Sequence, residues 1–277
     1  MEMYNMEEIA NKLAKLNRVL VDLGKVAVAF SGGADSSFLA AAAKKVLGDN
    51  AVTVTALSET LPEGERQSAI EFAKSIHIKH TEILISELKS QEFIANTSKR
   101  CYFCKRERFS VLENWALSQG LFWVLEGSNA DDVDDYRPGM EALSEFTKVR
   151  SPLLEVGLTK AEIRSISKEW GLSSWDKPSG ACLSSRISYG VKITPERLKQ
   201  VEQAETYLKQ YCSGQIRVRY HKNLARIEVS SEQIGKLVEP SVAKKITEYF
   251  KGIGFVFVTI DLAGYRMGSM NETLPNE

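Results

Sequence analysis

Seven consecutive residues, Ser31, Gly32, Gly33, Ala34, Asp35, Ser36 and Ser37, combine the groups that hold a phosphate. They follow an apolar run, Lys25 to Phe30, and open an alanine-rich stretch that reads as a helix from Ser36 to Leu47. Two glycines let the backbone turn sharply and present its N–H groups. The helix N-terminus adds partial positive charge, and the serines add hydroxyl donors. Asp35 is an acid inside an anion site, which makes chemical sense if it holds Mg²⁺ or orders the loop. No Gly-Lys-Ser/Thr follows, so the loop is not of the Walker type. The bland alternative is a glycine turn without a ligand; the hydroxyl content and the strand-to-helix context weigh against it.

A second polar turn, Glu126, Gly127, Ser128, Asn129, Ala130, Asp131 and Asp132, follows the apolar run Leu121 to Leu125. Both turns come directly after strands, where open α/β sheets bind ligands. Asp134 and Asp135 extend this acidic stretch and read equally well as a solvated loop.

Cysteines supply the third constellation. Cys101 and Cys104 form a Cys-x-x-Cys pair, Cys182 lies between Lys177 and Arg186, and Cys212 ends a predicted helix and reads as a packing residue. Zinc would need a fourth ligand, from Cys212, His77, His80 or His221. Three thiolates can instead hold a 4Fe–4S cluster with one iron open. Lys177 and Arg186 flank Cys182 and offer either a lowered thiol pKa or a grip on carboxylate and phosphate. Arg217 and Arg219 alternate on a predicted strand and so share a face, with Glu205 and Glu228 nearby in sequence; ordinary solvent-facing charge is the alternative for all four. Trp175 precedes the Cys182 loop and could stack on a cationic ring.

The Ser-Gly-Gly-x-Asp-Ser string resembles the signature of the ATP pyrophosphatases, the PP-loop family, and the 126–132 turn matches a second family motif near ATP and Mg²⁺. Nearly the whole chain is similar to one branch, the LarE family of ATP-dependent sulfur transferases. The likeness rests on both turns, Arg150 to Leu153, Lys177 to Gly190, Arg217 to Arg219 and Ala225 to Glu228. It implies that Ser31, Gly32, Gly33, Asp35, Ser36, Ser37, Gly127, Asn129 and Asp131 bind ATP with Mg²⁺. It also implies that a carboxylate of pyridinium biscarboxylic acid mononucleotide is adenylated and then converted to a thiocarboxylate. That chemistry belongs to biosynthesis of the nickel-pincer nucleotide cofactor of lactate racemase. Cys182, Asp35, Lys177 and Arg186 would be catalytic, while Arg186, Glu205, Arg217, Arg219 and Glu228 would hold substrate or phosphate. Some members sacrifice the cysteine matching Cys182; others carry three cysteines. Having all three, this chain resembles the 4Fe–4S type, with Cys101, Cys104 and Cys182 as ligands and sulfide or another source supplying sulfur. A homo-oligomer is implied as well. A PP-loop tRNA thiolase and a non-catalytic nucleotide-binding domain are the competing readings.

Positioning these groups requires a parallel sheet with crossover helices. Apolar runs at Lys25–Phe30, Ala51–Leu57, Thr81–Ile85 and Leu121–Leu125 alternate with helical stretches at Glu63–Ile76, Lys105–Gln119 and Thr159–Trp170. The expected fold class is α/β: a Rossmann-like PP-loop ATP pyrophosphatase domain over 1–190. A small α+β domain for substrate binding or oligomerisation follows over 191–277. The tail after Met267 reads as polar and frayed.

The 277 residues carry 36 basic and 36 acidic side chains, and 43% are hydrophobic. That composition excludes a disordered chain and argues against a nucleic-acid partner, which usually demands a basic excess. No apolar run reaches the roughly 18 residues of a membrane span. No signal pattern is visible at the N-terminus, so a cytoplasmic location without membrane attachment is expected.

Overall fold

The computed structural model describes residues 6–132, 138–178 and 180–273. In chain order the helices and strands are α1 (Met6–Leu23), β1 (Val26–Ala29), α2 (Ala34–Leu47), β2 (Ala51–Leu57), α3 (Glu63–Ser75), β3 (Lys79–Leu84), α4 (Gln91–Ile94), α5 (Arg100–Ser118), β4 (Trp123–Leu125), α6 (Pro138–Leu143), β5 (Val149–Arg150), α7 (Pro152–Glu155) and α8 (Lys160–Glu169). There follow α9 (Pro195–Leu208), β6 (Arg217–His221), β7 (Leu224–Glu228), α10 (Ser231–Leu237), α11 (Pro240–Gly252) and β8 (Phe257–Ile260), with a short 3₁₀ turn at Leu183–Arg186. No helix among the described residues is long and apolar enough to cross a membrane.

These elements form two units. The first holds residues up to Ser58, Glu63–Glu87 and Cys101–Gly180; the second holds Glu59–Pro62, Leu88–Arg100 and the chain from Ala181 onward. The long C-terminal stretch of the second unit begins at Ala181. The unit also takes in two earlier segments that no shift in composition marks.

The first unit is built on a five-stranded sheet in the order β3-β2-β1-β4-β5, with every pairing parallel. The α/β expectation with a parallel sheet is met. Strand β2 is buried on both faces along six of its seven residues, as a parallel strand covered by helices must be. Helix α2 packs Phe38, Leu39 and the methyls of Ala40 to Ala43 into the core. Its alanines keep the helix close to the sheet, and Phe38 stacks on Trp170 at 5.2 Å between centroids. Helix α1 buries Ile9, Leu16, Leu20 and Leu23, one stripe at helical spacing. Chain order reverses between β1 and β4, so the loops after these two strands flank a switch point.

The second unit carries a three-stranded sheet in the order β6-β7-β8. Strands β6 and β7 form an antiparallel hairpin closed by two residues, with Lys222 at φ +59°, the positive angle that tight hairpin turns demand. Strand β8 pairs parallel to β7, which requires the intervening crossover through α10 and α11. Residues after Met267 are ordered rather than frayed through Thr273: Ser269 and Met270 are buried. Residues 274–277 lie outside the described residues, as do Asp134, Asp135 and Ser179.

Candidate active site

In the first unit the phosphate loop links β1 to α2 directly, and Gly33 is the residue before the helix. Gly32 has φ +69°, and a Cβ there would stand 3.1 Å from the Cα of Ala69 in α3, so both conformation and space require glycine. The loop is internally braced. Ser36 Oγ donates to the Gly33 carbonyl at 3.2 Å and lies 3.2 Å from Ser31 Oγ. Ser37 is fully buried and its hydroxyl has no hydrogen-bond partner.

The second turn packs on the first. A Cβ on Gly127 would stand 3.1 Å from the Ser36 nitrogen, so glycine permits the contact between the two loops. Glu126 is buried and accepts from the Ser128 nitrogen at 3.1 Å, from Ser128 Oγ at 2.8 Å and from the Ser151 hydroxyl. Asn129 receives the Asp131 nitrogen on Oδ1 and donates its own N–H to Asp132, each at 3.0 Å.

Two lysines complete this corner. Lys160, the first residue of α8, pairs its ammonium with Asp35 Oδ2 and donates its backbone N–H to Asp131 Oδ2 at 2.8 Å. Lys177 Nζ donates to the Gly32 carbonyl at 3.0 Å and pairs with Glu65 at 2.8 Å. Its ammonium therefore stands on the phosphate loop, a placement its proximity to Cys182 in sequence did not reveal. Asp35 Oδ1 is buried and lacks a hydrogen-bond partner, an oxygen suited to a cation. Trp175 is partly exposed and has the Lys168 ammonium 4.8 Å from its ring.

Cys101 and Cys104 lie in the first turn of α5, not ahead of a helix as the sequence implied. Cys101 is exposed, and the Cys104 thiol donates to Glu87 Oε1 at 3.5 Å. Burial alone would raise the Glu87 carboxyl pKa, but Arg108 at 2.6 Å holds it below the ordinary range. Cys212 is buried, which pushes its thiol pKa up, and its Sγ donates to the Leu208 carbonyl.

The second unit places Cys182 immediately before the 3₁₀ turn, its Sγ 2.9 Å from Ser184 Oγ. Arg186 is only 2% exposed. It grips Glu205 through Nε at 2.9 Å and Nη2 at 3.1 Å. Its Nη1 donates to the carbonyls of Ala181 and Cys182 at 2.6 and 2.9 Å. Within this unit the guanidinium braces the cysteine loop, and its donors are already engaged. Glu205 also accepts the Val218 nitrogen at 3.0 Å, which ties α9 to β6.

Arg217 and Arg219 do not face solvent; both are buried. Arg219 donates Nε and Nη2 to Glu228 Oε2 at 2.9 and 2.6 Å. Glu228 is fully buried and also receives Arg226 at 3.2 Å and Ser269 Oγ at 2.8 Å. Burial, and then the neighbouring Arg186, push the Arg217 guanidinium pKa below its ordinary value. Sequence reasoning missed Lys160, Arg226 and Ser269. The only sequence signal for Lys160 was its place next to the capping residue Thr159.

Among the described residues, no group of three or more His, Cys, Asp or Glu side chains could hold a metal ion. Cys101 and Cys104 belong to the first unit and Cys182 to the second.

Residues 8–130 match the NAD synthase family. Along its length the chain is 42% identical to uncharacterized protein slr1717 of Synechocystis, covering 96% of this chain and 99% of that protein. It is 31% identical to uncharacterized protein MJ0830 of Methanocaldococcus jannaschii, over 87% and 91% of the two chains. It is 36% identical, over 97% of both chains, to the pyridinium-3,5-bisthiocarboxylic acid mononucleotide synthase of Lactiplantibacillus plantarum. Identity sustained across both units, together with a phosphate loop at the switch point of a parallel sheet, shows that the chain belongs to the LarE family of PP-loop proteins.

Proposed function

We propose that the protein is an ATP-dependent sulfur insertase that turns the carboxylates of pyridinium biscarboxylic acid mononucleotide into thiocarboxylates. The observation that carries this reading is the full-length likeness to the Lactiplantibacillus plantarum synthase. The groups gathered within each unit support it.

A carboxylate is a poor electrophile, so its oxygen must first become a leaving group. A substrate carboxylate oxygen attacks the α-phosphorus of ATP, the bond to the β-phosphate bridging oxygen breaks, and pyrophosphate leaves. The Ser31–Ser37 loop holds the phosphates with backbone N–H groups and hydroxyls. Lys160 and Lys177 offset their charge. Asp35, through its unpartnered buried oxygen, and Asp131 would hold Mg²⁺. When bound, Mg²⁺ neutralises phosphate oxygens. Sulfur then attacks the acyl carbon, the bond to the AMP oxygen breaks, and a thiocarboxylate and AMP result.

In the second unit the guanidiniums of Arg186, Arg217, Arg219 and Arg226 gather among the carboxylates of Glu205, Glu228 and Asp261. Such a cluster of guanidiniums suits a substrate phosphate or carboxylate. Arg186 acts on the loop rather than on the sulfur. In the three-cysteine reading Cys101, Cys104 and Cys182 would hold a 4Fe–4S cluster, which would supply sulfide for the transfer. Sulfur transfer from Cys182 itself would proceed by loss of its Cα proton and cleavage of its Cβ–S bond, leaving dehydroalanine.

The test supplies purified protein with MgATP, the biscarboxylate mononucleotide and sulfide, and measures pyrophosphate and thiocarboxylate. Both should form in the wild type, and Asp35→Ala should form neither. Substrate-independent ATP binding without pyrophosphate release overturns the reading, as does salt-sensitive retention on tRNA with thiolation of that tRNA. Iron and sulfide counts on anaerobic protein, with intact mass after turnover, identify the sulfur donor.

A further inference from the structure

A pair of buried side chains in the second unit has no part in the chemistry above. Asn96 follows α4 in the left-handed region, at φ +53°, and is fully buried. Asparagine tolerates this region better than most residues, but the conformation still costs about 1 kcal/mol or more. Its amide is committed to one stretch of chain. Nδ2 reaches the carbonyls of Ile187 at 3.2 Å, Ser188 at 2.8 Å and Val191 at 3.0 Å. Its own carbonyl accepts the Gly190 nitrogen at 3.0 Å.

The Asn96 side-chain oxygen accepts from Arg100 Nη1 at 2.9 Å. The same Nη1 reaches the Ser184 carbonyl at 3.2 Å, and the guanidinium lies over the Tyr189 ring, 5.2 Å from its centroid. Ser184 is buried, and its hydroxyl is the group 2.9 Å from Cys182 Sγ. Asn96 and Arg100 thus hold the loop on the side after Cys182, whereas Arg186 holds the carbonyls of Ala181 and Cys182 themselves.

We propose that Asn96 and Arg100 are positioning residues for sulfur transfer, fixing the 182–191 loop so that the Ser184 hydroxyl and the Cys182 sulfur keep one geometry. The proposal rests on the reading that Cys182 takes part in that transfer. Its physical basis is the steep dependence of an attack on alignment: reacting atoms must come within about 3–3.5 Å, and a misplacement of about 1 Å can cost roughly 100-fold. A strained asparagine and a buried guanidinium spent on one loop are costly for mere chain packing. They are reasonable where the loop must not drift.

The experiment compares wild type with Asn96→Gly and Arg100→Lys. Glycine accepts the left-handed backbone without strain and removes only the amide. Lysine keeps the charge but lacks the flat guanidinium that lies over Tyr189 and holds Nη1 between Asn96 and Ser184. Three quantities are read: pyrophosphate release, thiocarboxylate formed per pyrophosphate, and the rate at which iodoacetamide alkylates Cys182, followed by peptide mass. The expected result is pyrophosphate release within about 2-fold of wild type and a yield per pyrophosphate lower by roughly 10- to 100-fold. Cys182 alkylation should change severalfold. A parallel fall of pyrophosphate and thiocarboxylate overturns the proposal, because a general structural role produces it. An unchanged yield and alkylation rate overturn it too. If wild type forms neither product, the functional reading itself fails. Alkylation still decides on the loop, because an unchanged rate in both variants refutes the positioning role regardless of activity.

Discussion

Single residues decide the proposed phosphate site, and Lys160 is the most exposed to test. It neutralises Asp35 through its ammonium and fixes Asp131 through its backbone N–H. Lys160→Met deletes the first contact and spares the second. A hydrogen bond to a charged group is worth about 1.5–3 kcal/mol, so pyrophosphate release at limiting ATP should fall roughly 10- to 100-fold. Lys160→Arg should recover part of that loss. An unchanged dependence of the rate on ATP and Mg²⁺ in Lys160→Met refutes a role for this ammonium at the phosphates. The reason Lys160 was hard to see in the sequence is distance along the chain. The Ser31–Ser37 loop is a contiguous string whose chemistry can be read in place. Lys160 and Lys177 arrive from 125 and 145 positions away. Nothing in the residues around a lysine announces which loop it will reach. Arg186 shows the converse: its type and its place beside Cys182 were legible, but its commitment to Glu205 was not, because that partner comes from α9.

Elements set where those residues stand, and α8 does so through its start. Thr159 and Glu162 form a capping box in which Thr159 Oγ1 accepts from the Glu162 nitrogen, and Glu162 Oε2 accepts from the Thr159 nitrogen at 2.8 Å. Such a box is a local code, Thr followed three places later by Glu, and needs no tertiary partner. Lys12 of α1 pairing with Glu162 at 2.8 Å was not visible, being tertiary. Burial works to raise the Glu162 pKa, but Lys12 and the Thr159 groups outweigh it and hold the carboxyl below its ordinary value. A depressed folded pKa contributes stability that is fully present above the unfolded value, about 4.3, and is lost as pH falls through the folded value. Glu162→Gln should therefore lower stability at neutral pH by about 0.5–2 kcal/mol, the range for a lost cap. In thermal melts the gap between variant and wild type should close as pH drops below the ordinary carboxylate range. A gap that stays constant down to strongly acid pH removes the ion pair from the account. The start of α5 was misjudged for a related local reason. Cys, Tyr and Phe are indifferent helix formers, so spacing placed the helix after the Cys-x-x-Cys pair, whereas α5 includes it.

At the scale of the whole molecule, a net charge of zero conceals separate buried networks. In the second unit, Arg219, Arg226 and Ser269 converge on Glu228, and Arg226 continues to Asp261 at 2.9 Å. The network joins β6, β7 and the segment after β8, including residues that polarity alone marked as a frayed tail. A polar stretch looks solvated in sequence whenever its partner is a charge elsewhere in the chain; here Ser269 is buried because Glu228 and Arg219 satisfy it. Removing Glu228 leaves guanidiniums in a buried setting without their counter-ion, a change that typically costs about 3–5 kcal/mol. Glu228→Ala should therefore destabilise the three-stranded sheet directly. Because opening free energies differ between parts of a protein, hydrogen exchange locates the damage. Amide protection in β6 and β7 should drop by roughly two to three powers of ten, converting that cost at about 1.4 kcal/mol per tenfold. Amides of β1 and β2 in the parallel sheet should stay near wild type. Glu228→Ala with Arg219→Met should regain part of the protection, because the double change also removes a stranded charge. Equal loss in β1 and β6 contradicts a network confined to the second unit. Protection in β6 that survives Glu228→Ala shows instead that this carboxylate is dispensable to the fold, and that its place among the arginines answers to ligand binding alone.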